Sequence, residues 1–273
     1  MKHNKLAIIG VGNMAKAIIT GITHSNLAVG EIILFDRYPT QYEGVGAGTP
    51  VTFTPAASAK DAASRADVVL LSVKPQNYPE VLAELGAMPD CADKLYISIG
   101  AGITVKSVSD ALGGARVVRV LPNVPMLIGE GVSVVCRNPA VDAADFDFVC
   151  SVFQSAGSTV LIEESEMNRM IGVTSSSPAY VFRFIRAVCE GAAQQGLTYD
   201  RALIDSVCDM VIGSAKLLKG SDDTPDELIA KVASKGGTTE QALKMLDELS
   251  FDRALTEAMK ACTRRAEELG KTN

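Results

Sequence analysis

Short apolar runs rich in β-branched residues recur through the first 160 positions: Leu6–Ile9, Ile32–Phe35, Val51–Phe53, Val68–Val73, Leu95–Ile99, Val117–Leu121, Val132–Cys136 and Thr159–Ile162. Helical patterns separate most of them, so the order predicts βαβ units and a mainly parallel sheet. The runs are apolar at nearly every position, as strands covered on both faces must be. The stretch from Val120 to Val132 contains Pro122, Pro125, Gly129 and Gly131 and leaves little room for a crossover helix. The tail of the sheet is therefore expected to turn antiparallel.

Beyond about residue 163 the pattern becomes helical only. All prolines but Pro178 and Pro225 lie before residue 140. Tyr180, Val181, Phe184, Ile185, Val188 and Ala192 recur at helical spacing and form one apolar stripe. The segment Ala202–Leu218 is apolar on almost all sides, which predicts cover by a second subunit. Asp226–Ala233, Thr239–Leu249 and Phe251–Leu269 complete a bundle, with glycine breaks at Gly220 and Gly236-Gly237. The expected division is 1–163 and 164–273.

Composition narrows the function classes. A formal charge of −6 gives no basic face for nucleic acid. No apolar stretch reaches the roughly 18 residues that span a bilayer, and the first run is too short for a signal sequence. Cys91, Cys136, Cys150, Cys189, Cys208 and Cys262 show no metal-ligand spacing and read as thiols of a reducing, cytoplasmic compartment. No metal site is expected. The only histidines are His3 and His24, so a histidine base is disfavoured.

Gly10-Val11-Gly12-Asn13-Met14-Ala15 follows the first run and opens a helix. In that position G-x-G-x-x-A is a dinucleotide-binding turn: its glycines let backbone approach a pyrophosphate held at a helix N-terminus. The fold class is therefore α/β, an N-terminal Rossmann-like doubly wound sheet followed by an all-helical C-terminal domain. At the end of the second strand, Asp36 favours the ribose hydroxyls of NAD while Arg37 favours the 2′-phosphate of NADP. Val73-Lys74-Pro75, Ala101-Gly102 and the turn around Asn123 end later strands, where ligands of such sheets lie. Lys74 reads equally as a solvated turn residue, and the Asn123 turn equally as structural.

These motifs resemble the pyrroline-5-carboxylate reductase family. The likeness rests on Gly10–Ala15, Val73-Lys74-Pro75, Leu121–Pro125, Ser176–Phe182 and Ser234–Thr239, with Phe251 and Ala258–Leu269 similar to its closing helix. Ser175 stands where the family has glycine, and Lys235 where proline is usual. The resemblance implies reduction of 1-pyrroline-5-carboxylate to L-proline by NADPH, or NADH, in a homodimer or larger homo-oligomer. It places the substrate on Ser234, Gly236, Gly237, Thr238 and Thr239, with Thr239 bonding the ring nitrogen. Read from the residues alone, Thr238 also suits a helix cap with Gln241 completing a capping box, and the two roles can coexist. In the same way Ser177 before Pro178 suits an N-cap.

Two other classes compete. A β-hydroxyacid dehydrogenase shares the two-domain plan but uses a lysine early in the first long helix, and no lysine lies between Glu166 and Gln195. A non-catalytic NAD(P)-binding scaffold or sensor would differ by lacking turnover.

Overall fold

A computed structural model describes residues 3–272. Its strands are β1 (Lys5–Ile9), β2 (Glu31–Phe35), β3 (Thr52–Pro55), β4 (Val68–Leu71), β5 (Leu95–Ser98), β6 (Arg116–Leu121), β7 (Gly131–Arg137) and β8 (Gly157–Leu161). The helices among them are α1 (Asn13–Thr23), α2 (Ala59–Ser64), α3 (Tyr78–Gly86), α4 (Val105–Ala111) and α5 (Ala143–Gln154). There follow α6 (Glu164–Met170), α7 (Ser177–Gln194), α8 (Arg201–Lys219), α9 (Pro225–Val232), α10 (Thr238–Glu248) and α11 (Phe251–Thr272). None is long and apolar enough to cross a membrane.

All eight strands join one sheet in the order β3-β2-β1-β4-β5-β6-β7-β8. Pairing is parallel except between β6 and β7, where the short connection allows only a reversal. The expected antiparallel tail is confined to that pair, because α5 returns the chain and β8 runs parallel to β7. Side chains alternate across the sheet. Ala7 and Ile9 of β1 pack on one face with α2, α3 and α4, whereas Leu6 and Ile8 pack on the other with α1 and α5.

The chain divides into two compact units, one reaching to Ser176 and resuming at Lys260, the other Ser177–Met259. The end of the last strand near 163 is not where packing changes. Met167 and Ile171 are buried in the same cluster as Leu121 and Val134, and Ala266 of α11 joins them. Residues 171–175 form a π turn with Ser176 at its end, and α7 follows with Ser177 as its first helical residue. Ser175 ends the turn with its hydroxyl buried and without a hydrogen-bond partner.

In the second unit α7 and α8 are the most closely packed pair. α9 begins with a complete capping box between Thr224 and Glu227. Large apolar side chains nevertheless remain exposed along α7 and α8, among them Phe182, Met210, Ile212 and Leu217.

Tyr78, at the start of α3, ties the sheet unit together at its carboxyl edge. It is 1% exposed. Its hydroxyl donates to the Leu71 carbonyl at 2.9 Å, lies 3.0 Å from Ser98 Oγ and accepts from the Gly100 N–H at 3.0 Å. Burial pushes its pKa up to about 12, so it remains a neutral donor. The turns after β4 and β5 are thereby fixed to each other. Tyr78→Phe is expected to cost about 1–3 kcal/mol in urea unfolding, with the m-value unchanged and faster amide exchange at Gly100.

Candidate functional site

A crevice of about 530 Å³ opens at the carboxyl ends of β1, β2 and β4. It lies where the strand order reverses, between β1 and β4, the place at which open α/β sheets hold ligands. Gly10 and Gly12 form its floor, Asp36 and Arg37 one wall, Val73 and Lys74 another.

The two glycines do different work. Gly10 has φ +91°, and a Cβ there would stand 2.7 Å from the Ser72 carbonyl oxygen. Gly12 has ordinary backbone angles, and a Cβ on it would meet nothing within 4 Å. It is the N-cap of α1, which has no side-chain cap and no acid in its first turn. A negatively charged group can therefore approach the backbone here and meet the positive end of an 11-residue helix. These features fit the pyrophosphate of a dinucleotide. Asn13 is exposed beside Gly12, Met14 is partly buried, and Ala15 lies wholly in the core, where its small side chain permits close packing.

Asp36 braces the glycine turn. One carboxylate oxygen accepts from the Val11 N–H at 2.8 Å and the other from the Tyr38 N–H at 2.9 Å. Arg37 reaches out and pairs with Glu80 of α3. Lys74 is exposed on the crevice wall, ahead of the short 3-10 turn that starts at Pro75. Ala101 packs against the core, and Gly102 turns with φ +79° where a Cβ would stand 2.5 Å from the Ala266 carbonyl of α11.

Asn123 is buried with both ends of its side chain engaged. Its carbonyl accepts from the Val132 N–H at 2.9 Å and its amide donates to the Thr174 carbonyl at 3.1 Å. The structural side of the reading of that turn accounts for its polar group.

Tyr38, Gln41, Gln76 and Asn77 also line the crevice. Tyr38 was detectable as the neighbour of Asp36-Arg37. Gln76 and Asn77 carried no signal, because only the turn after Pro75 folds them back.

In the second unit, residues 234–237 form a tight turn into α10. Gly236 has φ +75°, and a Cβ on Gly237 would stand 2.9 Å from the Ser234 carbonyl. The Gly237 N–H donates to that carbonyl, and the Gly236 N–H donates to Glu240 at 2.7 Å. Gly237 is the N-cap of α10, with no side-chain cap bond. The capping-box reading of Thr238 and Gln241 is thus corrected: Gly237 ends the turn, so Thr238 is already the first helical residue. Ser234, Lys235 and Thr238 are exposed and Thr239 is half-buried.

The sheet topology and the glycine turn define a dinucleotide-fold α/β protein with an appended helical unit. The family model for pyrroline-5-carboxylate reductase dimerisation matches residues 164–269, and that for NADP oxidoreductase, coenzyme F420-dependent, matches 5–102. The chain is 34% identical to the pyrroline-5-carboxylate reductase of Escherichia coli, over 99% of this chain and 100% of that one. It is also 34% identical to the Aquifex aeolicus enzyme, over 97% of each. Among solved structures, the Plasmodium falciparum pyrroline carboxylate reductase with NADP bound superposes with a TM-score of 0.88 at 27% identity, covering 99% of both chains. The chain belongs to the pyrroline-5-carboxylate reductase family.

The contrast between the two glycines is measurable by urea unfolding. Gly10→Ala is expected to cost at least about 2 kcal/mol, from positive φ and a backbone clash. Gly12→Ala is expected to stay within about 1 kcal/mol, the difference between the two residues as caps.

Proposed function

We propose that this chain reduces 1-pyrroline-5-carboxylate to L-proline with NADPH as the preferred reductant, in the cytoplasm. The observation that carries the reading is the uncapped start of α1 beneath Gly12, in a chain similar along its whole length to pyrroline-5-carboxylate reductases. The NADP bound to the Plasmodium falciparum relative supports the choice of cofactor. Bound NADPH supplies a hydride. The chain's residues bind, orient and exclude water.

Gly10, Gly12, Asn13, Met14 and Ala15 hold the pyrophosphate at the start of α1. Asp36 and Arg37 face the adenosine ribose, with Arg37 on the 2′-phosphate. Val73, Lys74 and Pro75, with Ala101, Gly102 and Asn123, shape the turns towards the nicotinamide end. Ser234, Gly236, Gly237 and Thr238 hold the substrate carboxylate with backbone and hydroxyl donors at the N-terminus of α10. The missing side-chain cap at Gly237 supports this, although Glu240 already takes the Gly236 N–H and leaves the amides beyond it for the substrate. Thr239 hydrogen-bonds the ring nitrogen. A ring imine is basic enough to arrive protonated, so orientation of the reactants replaces a strong acid. Loss of nicotinamide absorbance on mixing enzyme, NADPH and the imine acid tests the activity, and no turnover would leave a binding protein only.

Thr239→Val keeps shape and removes the hydroxyl. Expected is a fall in kcat and kcat/KM together of roughly ten- to a hundredfold, with the melting temperature unchanged. A lowered melting temperature with full activity would make Thr239 structural.

The functional assembly is a homodimer, or larger, formed through the helical unit. Ile212 and Leu217 of α8 are 50% and 61% exposed in the single chain, a large apolar surface for a monomer. Ile212→Asp places a charge on that surface. Aggregation or loss of folded protein is expected, since a buried unpaired carboxylate is costly. A soluble, active monomer would refute the dimer.

A further inference from the structure

Arg37 is not free to meet a ligand. Its guanidinium is paired with Glu80, which α3 projects towards the end of β2, next to crevice-lining Val81. The two side chains are 53% and 67% exposed. A pair that open to water is weak, whereas a guanidinium on a phosphate forms shorter, charge-assisted, bidentate bonds. A phosphate at the ribose therefore displaces Glu80, but against resistance.

We propose that Glu80 is a specificity-determining residue that narrows the preference for NADPH over NADH by competing with the 2′-phosphate for Arg37. The inference rests on the reading of this crevice as the dinucleotide site. With a ribose 2′-hydroxyl the Arg37–Glu80 pair stays intact. With a 2′-phosphate the pair is broken, and a carboxylate is left close to a second multivalent anion. The Asp36 carboxylate is engaged by the Val11 and Tyr38 N–H groups, so the acid that pairs with Arg37 is Glu80. Lys74 also lines the crevice and is not part of the pair. Glu80 therefore burdens one ligand and spares the other. Glu80 lies exposed in the first turn of α3, and among the described residues Arg37 is the partner of its carboxylate.

The test is titration calorimetry of the full chain with 2′,5′-ADP and with 5′-ADP, which report the ribose subsite without turnover. Glu80→Gln is expected to tighten 2′,5′-ADP by about threefold to tenfold and to leave 5′-ADP unchanged. The gain should shrink as salt is raised, and should vanish when Arg37→Ala is added. Unchanged 2′,5′-ADP affinity, an equal gain for 5′-ADP, or a gain that survives Arg37→Ala overturns the role of Glu80 while the crevice keeps its assignment. Failure of either nucleotide to bind the wild-type chain overturns the crevice assignment itself, and Glu80 with it.

Discussion

Gly10 turns the chain with φ +91°, at a point where any side chain would stand 2.7 Å from the Ser72 carbonyl oxygen. The ends of β1 and β4 close on each other there: the Ser72 N–H donates to the Ile9 carbonyl at 2.8 Å, and the Gly10 N–H donates to the Phe35 carbonyl, also at 2.8 Å. Three parallel strands thus finish at one level, and the chain leaves this level as α1 with its N-terminus facing the crevice. Asp36 fixes the same turn from the side by accepting the Val11 N–H. A ligand site built from backbone demands this kind of support, because no side chain can adjust for a misplaced amide.

Tyr78 performs the matching task for the turns after β4 and β5, and a second polar group does so deeper in the sheet. Arg119 of β6 is 1% exposed and reaches Asn168 of α6 at 2.8 Å and Glu164 at 3.3 Å. Burial pulls its pKa down, and the Glu164 carboxylate opposes that shift. Glu164 also accepts the Val105 N–H at the start of α4. One carboxylate therefore links β6, α4 and α6. This explains why α6 belongs with the sheet although the sequence turns helical at about the same place.

The strands and long helices were readable because their patterns follow from burial alone. β1 buries Leu6 to Ile9 completely, and a strand covered on both faces must be apolar throughout. The positions of glycines were readable for a different reason: positive φ leaves few alternatives to glycine. What escaped was everything set by the partner of a polar group. Asn123 gave no sign that Val132 and Thr174 would occupy both ends of its amide, since those partners lie on β7 and in the π turn. Nor did Thr238 reveal that Gly237, held by the Ser234 carbonyl, would take the cap position first. Helix ends are fixed by turn geometry, and a motif of suitable caps does not choose among them.

The absence of histidine from both candidate ligand surfaces becomes coherent when the two helix starts are compared. α1 and α10 are each 11 residues long, each begins at a glycine, and neither has a side-chain cap. Elsewhere Ser58, Thr104, Asp142, Asp200 and Thr224 cap their helices, and α3 and α6, which also lack a side-chain cap, carry acids in their first turns as α10 does with Glu240, whereas α1 has neither. A glycine in place of a capping side chain costs only about a few tenths of a kcal/mol. Backbone amides and a helix dipole offer an anion a binding surface that does not titrate near neutral pH, which a histidine could not. A reductase whose reactants bring their own hydride and their own proton needs places to hold anions more than it needs an acid.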